Sequence, residues 1–190
     1  MSRVISKLTL QEFLSLSESN DRCEFVDGEL IVKMSPTSPH SRAQKRLLRL
    51  LDDWCESSNQ GEVNPEWTVV LKRLGVDWAP VPDLTYISHC RVPTDWDGEG
   101  PCPGIPELVV EIISPGQTFG ELTQKATDYL LAGVNRVWVI DTKAQSVTIF
   151  RRDDLPQTIK ADGKISDSLL PELVLPVTSL FNKTHKGKGN

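Results

Sequence analysis

Residues 108–113 read Leu-Val-Val-Glu-Ile-Ile, and this run constrains the fold more than any other stretch of the chain. Near-continuous aliphatic residues predict a strand covered on both faces, because a half-exposed strand would alternate apolar and polar side chains. Such a strand belongs to the interior of a sheet with helices packed on it. Glu111 falls in its middle. A carboxylate buried among Val and Ile is costly unless something positive satisfies it.

A second acid, Asp83, follows Pro82 and leads directly into a strand predicted over 84–87. Two acids on adjacent strands could share a hard divalent cation, with waters and backbone carbonyls filling the other positions. Their separation, 111 − 83 = 28 residues, leaves room for the loop that returns the chain to pair with the first strand.

The remaining elements follow from local signals. Thr9-Leu10-Gln11-Glu12 reads as a capping box opening a short helix to about Ser17. In CEFVDGELIVKM, Asp27-Gly28 separates two apolar-rich runs and predicts a hairpin with a type I′ turn. Ser38-Pro39 predicts a helix start, with Ser38 as N-cap and Pro at the first position, running to about Glu56. Ala43, Leu47, Leu50, Leu51 and Trp54 form its apolar stripe, and Arg42, Lys45, Arg46 and Arg49 a basic ribbon opposite. By default such a ribbon is a solvated helix face, with contact to a nucleic-acid backbone as the other reading.

A strand is predicted over 67–71, then the strands at 84–87 and 108–113, separated by a loop rich in Pro, Gly and acid at 93–106. A helix over 120–132 is stopped by Gly133, and strands Arg136–Asp141 and Ser146–Arg151 form a further hairpin. A weak strand or turn and a short helix follow within LLPELVLPVTSLF. The order predicts an α/β or α+β domain, a mixed β-sheet flanked by helices with an N-terminal β-hairpin. One domain over 1–182 accounts for it, and the basic residues 183–190 read as a disordered tail.

Composition narrows the function. The 190 residues carry a formal charge of −5, which excludes a protein that coats nucleic acid through bulk positive charge. No apolar run reaches the roughly eighteen residues that span a bilayer, and the N-terminus lacks a signal-peptide core. Cys23, Cys55, Cys90 and Cys102 are scattered with no CxxC pair, so reduced thiols in the cytoplasm are the simplest reading. Neither a phosphate-binding Gly-rich loop nor a G-x-S-x-G elbow is present, so a nucleotide cofactor is not expected.

Taken in order, the motifs resemble a known family. Glu24 with Asp27-Gly28-Glu29-Leu30, His40 opening a helix, Pro82-Asp83, and Glu111 with Ser114-Pro115 are four of them. Lys125, Tyr129, Gly133-Val134 and Trp138 to Asp141 complete the set, which covers roughly residues 9–151. The pattern resembles the PD-(D/E)xK nuclease superfamily, and more closely a large bacterial family of restriction-endonuclease-like domains. One position departs from the superfamily, since Ile113 stands where E-x-K has its lysine. The resemblance implies that Lys125, on the following helix, supplies it.

It further implies an endonuclease that hydrolyses DNA with Mg²⁺, Mn²⁺ being the alternative ion. Asp83 and Glu111 would hold the metal with the backbone carbonyl of Ile112, and Lys125 would orient or help deprotonate the attacking water. Glu24 and His40 would act behind them or at a second metal. A homodimer is expected, because two sites are needed to cut both strands together. The alternative is a nuclease fold without hydrolysis, binding DNA or a protein. Each residue also has a plainer role open to it. Asp83 could cap a turn, Glu111 form a structural ion pair, Lys125 pair with Glu121, Glu24 pair across the hairpin, and His40 cap or pack.

Overall fold

The structure is a computed structural model that describes residues 7–16, 23–160 and 162–181. The basic tail, and the end expected for the first helix at Ser17, lie outside these residues.

The main sheet has six strands in the order β10-β9-β8-β7-β6-β3. At its centre β7 (Leu108–Ile112) runs antiparallel to β6 (Leu84–Ser88) and parallel to β8 (Arg136–Asp141). All five residues of β7 are buried, as its composition predicts. A parallel neighbour needs a crossover, which α3 (Phe119–Leu131) provides between β7 and β8. Strands β9 (Ser146–Arg151) and β10 (Gln157–Lys160) extend one side, and β3 (Gly61–Pro65) closes the other against β6.

Alternation along the strands sends side chains to two cores. Leu84, Val110, Ile112 and Trp138 pack against Ala43, Leu47, Leu51 and Trp54 of α2 (Ser38–Ser58). Val109, Val137 and Val139 pack against Leu122, Ala126 and Tyr129 of α3. Leu50 is only partly buried on the first core, at the rim of the stripe. The N-cap of α2 is Thr37 instead of Ser38, one residue earlier than the sequence suggests, and it makes no side-chain cap bond.

A second sheet, in the order β2-β1-β5-β4, carries the N-terminal hairpin. Strands β1 (Cys23–Val26) and β2 (Glu29–Val32) meet at Asp27 and Gly28, both with positive φ (54° and 85°), as a type I′ turn requires. The capping box of α1 (Leu10–Ser15) forms as expected, and Phe13 stacks 5.5 Å from Phe25. A two-stranded sheet, β11 (Lys164–Asp167) with β12 (Leu170–Pro176), and α4 (Thr178–Phe181) complete the fold.

The expected strand at 67–71 is not one. Over 67–70 Val69 alone pairs, in an isolated bridge to Cys102; regular pairing ends before it in β3 and resumes at Leu71, which opens the hairpin of β4 (Leu71–Arg73) with β5 (Val76–Ala79). Gly, Asn and Pro in β3 hid it from a propensity reading, yet an edge strand tolerates them because its outer donors need no ladder partner. Among the described residues no helix is long and apolar enough to cross a membrane.

All four cysteines are free thiols, and Cys90 alone is exposed. Burial pushes the Cys55 thiol up to about 12 and that of Cys102 to about 11. An aromatic disulfide reagent at pH 8 is therefore expected to titrate one thiol rapidly in the native chain and all four in denaturant.

Candidate active site

The last pair of the β6–β7 ladder is Leu84 with Val110. One further step in that register sets Asp83 opposite Glu111. Here the strands part, and the Asp83 carboxylate takes over the edge: its Oδ2 accepts the Ile112 N–H at 2.6 Å. The preceding segment, 79–83, is wholly buried, with Pro80 and Pro82 keeping it extended. Val81, between the two prolines, spends its backbone groups on the site. The Val81 N–H donates to Glu24 Oε1 (3.1 Å), and the Val81 carbonyl accepts from Lys33 Nζ (2.7 Å).

Glu111 is 4% exposed and faces α3. Its Oε1 accepts from the Tyr129 hydroxyl at 2.7 Å and lies 2.9 Å from Lys125 Nζ. Lys125 also donates to Glu24 Oε1 at 2.7 Å, so one ammonium bridges an acid from each sheet. A lysine at the edge of the buried face of α3 can thus run its stem along the helix and deliver its ammonium to the sheet end. Pairing with Glu121 does not occur. Glu121 Oε2 accepts from the Thr118 N–H at 2.6 Å and closes the capping box of α3.

On the other side His40, in the first turn of α2, sets Nε2 3.3 Å from Asp83 Oδ2. Lys33, just past β2, places Nζ 3.5 Å from Asp83 Oδ1 and 2.5 Å from Glu66 Oε2. Gln44 donates to Glu66 Oε1 (2.8 Å) and to the Asp83 carbonyl (3.0 Å). The five residues singled out from sequence, Asp83, Glu111, Lys125, Glu24 and His40, thus come together.

Lys33, Gln44, Glu66 and the Tyr129 hydroxyl were not anticipated. Tyr129 carried a usable signal, since a tyrosine on the buried face of a helix needs a partner for its hydroxyl. Lys33 and Glu66 sit on connections, and no local pattern marks them. The basic ribbon of α2 divides. Arg42, Lys45 and Arg49 are exposed, while Arg46 is half-buried with its guanidinium 3.5 Å from the Ser179 carbonyl of α4.

The electrostatics are strained. Glu24, Glu66, Asp83 and Glu111 face Lys33 and Lys125, an excess of two negative charges. Burial raises Glu111 above the usual carboxylate range; Lys125 opposes this, and the charges on Glu24 and Asp83 add to it. Asp83 moves the other way. Burial works against its ionisation, but the His40 hydrogen bond, the Lys33 charge and the Ile112 N–H outweigh it. Burial likewise works against the charge on Lys125, but Glu111 and Glu24 outweigh it and hold the ammonium protonated.

Among the described residues no three His, Cys, Asp or Glu side chains gather as a metal-ligand set. Asp83 and Glu111 offer hard oxygen donors, and Mg²⁺ keeps several of its waters, so two carboxylates and a backbone carbonyl suffice for it. The unbalanced negative charge fits a divalent cation. Replacing Tyr129 by Phe removes the hydroxyl from Glu111 and is expected to cost about 1–2 kcal/mol in urea denaturation.

A protein-family model, Uma2, described as "Putative restriction endonuclease", matches residues 10–178. No curated protein matches the chain. Among solved structures, the crystal structure of a "putative nuclease" from Anabaena variabilis is similar, at 26% identity over 92% of this chain and 97% of that chain, with a TM-score of 0.78. A match over nearly the whole chain, to a family whose motif residues converge here at one end of the main sheet, decides the matter: the chain belongs to the Uma2 family of restriction-endonuclease-like proteins.

Proposed function

We propose that this protein is a metal-dependent endonuclease that hydrolyses phosphodiester bonds in DNA. The observation that carries the reading is the pair of buried carboxylates, Asp83 and Glu111, at the parting of two strands with an ammonium group on each. Mg²⁺ or Mn²⁺ would be held by Asp83, Glu111 and the Ile112 carbonyl, where it would make a bound water more acidic and offset charge growing on the phosphate.

The chain's own residues do the rest. His40 and the Ile112 N–H fix the Asp83 carboxylate, and Tyr129 fixes that of Glu111. Glu24 holds Lys125 in place, and its ammonium is available to orient the attacking water and to stabilise the pentacoordinate phosphate. Lys33, one-fifth exposed, sets its ammonium 3.5 Å from Asp83 Oδ1 and offsets part of the negative charge of the acid pair. Arg42, Lys45 and Arg49 on the outer face of α2 would contact the DNA backbone, with Arg46 contributing less because it turns toward α4. A homodimer belongs to this reading, since cutting both strands together takes two sites.

Supercoiled plasmid with Mg²⁺ or Mn²⁺ tests it. Nicking is expected from the wild type, none from Asp83→Ala or Glu111→Ala, and roughly 10²-fold slower nicking from Lys125→Met. DNA retention without cleavage would sink the enzyme and favour a binding module.

Metal occupancy has a separate readout. At a hundred times its Kd, the ion is expected to add about 2.7 kcal/mol to stability. For a chain of this size that is roughly 5–10 °C in melting temperature. Glu111→Gln is expected to abolish most of this increment in differential scanning calorimetry.

A further inference from the structure

Beside the acid pair lies a second, larger cavity of about 370 Å³, lined by Lys33, Met34, Pro36, His40, Glu66, Asp83 and Ser114. It is continuous with the site through Lys33 and Asp83, which line the smaller cavity over Glu111 as well. Its volume is in the range of small-molecule sites. The metal chemistry above leaves it unused.

Its polar groups specify an occupant. Each oxygen of the Glu66 carboxylate takes one donor, from Gln44 and from Lys33, and keeps a lone pair free. The Glu66 side chain is 43% exposed and so can be reached. Lys33 donates to Glu66 and to the Val81 carbonyl, while Asp83 Oδ1 at 3.5 Å is too distant for a full third bond. One ammonium N–H is left for a carbonyl oxygen. His40 is 3% exposed, and its Nδ1 finds no partner among the described residues. That atom is itself buried, so the donors and acceptors open to an occupant are those of Glu66 and Lys33.

The cavity therefore asks for adjacent N–H donors beside one carbonyl acceptor, on a body that can lie against Met34 and Pro36. A phosphate fits poorly, because two carboxylates share the wall. A neutral heterocycle fits well. Among nucleobases, guanine has N1–H and the exocyclic amine next to O6, so a carboxylate takes both donors and an ammonium meets the carbonyl.

We propose that this cavity receives one unpaired guanine of the nucleic-acid substrate, turned out of the stack beside the phosphodiester at the acid pair. The inference rests on the nuclease reading, because only then does a phosphodiester lie next to the cavity. Extruding a base costs a few kcal/mol in a paired duplex and least where the base is already unpaired. Substrates with a single-stranded guanine near the cut are thus preferred over fully paired ones.

Neutral nucleosides isolate the pocket from the metal and from phosphate charge. Saturation-transfer NMR on the full chain, without divalent metal, would compare guanosine, adenosine, cytidine and thymidine. Guanosine is expected to bind at least about ten-fold tighter than the other three. Glu66→Gln, which keeps the shape and removes the carboxylate, is expected to erase that preference, and Lys33→Met to weaken guanosine by about ten-fold, with melting curves showing both variants folded. Equal binding of the four nucleosides, no binding of any, or an unchanged preference in Glu66→Gln overturns the proposal. Plasmid nicking by a chain that does not discriminate nucleosides overturns the pocket alone. Discrimination without nicking keeps the pocket and counts against the nuclease.

Discussion

Glu111 cannot be moved to water, because the strand that carries it is covered on both faces. Everything near it is arranged around that fact. Tyr129 and Lys125 reach it from α3, one turn apart on the same helix. Lys125 is in turn shared with Glu24 from the second sheet, so one half-buried ammonium ties the hairpin to the main sheet. Even with these partners burial holds its proton more tightly than a free carboxylate would. In the proposed function a hard cation is the further partner for this acid.

The two carboxylates are treated differently, which suits them to one site. Asp83 sits where the β6–β7 ladder ends and uses its side chain as the missing ladder acceptor. His40 and Lys33 hold it ionised. Glu111 meets one ammonium and one phenol. Their unequal environments push the acids apart in proton affinity, the pattern found where neighbouring carboxylates share one task. The two lysines differ as well, Lys125 enclosed between acids and Lys33 at the mouth between two cavities.

Much of the site was legible in the sequence. The run at 108–113 announced both the covered strand and its unsatisfied acid. Pro82-Asp83 marked the second acid, and the resemblance pointed to Lys125 on the following helix. The family resemblance added Glu24 and His40. A pair between Glu121 and Lys125 stood open as the plainer alternative, because spacing alone allows one four residues apart. The capping box of α3 claims Glu121 instead, its Oε2 accepting the Thr118 N–H at 2.6 Å.

What the sequence determined by itself is whatever depends on neighbours within a few residues: the Asp27-Gly28 turn, the caps, the covered strand, and the need of Glu111 for positive charge. Lys33, Gln44 and Glu66 could not be found that way. They meet across 22 to 50 residues of chain, on a strand end, a helix flank and a connection in left-handed conformation (φ 49° at Glu66). The edge strand β3 escaped for the same reason, since its pairing with β6 overrides the poor strand propensity of Gly, Asn and Pro. Local patterns record which groups must be buried. Only the packing of two sheets and two helices around one sheet end decided which groups would meet there.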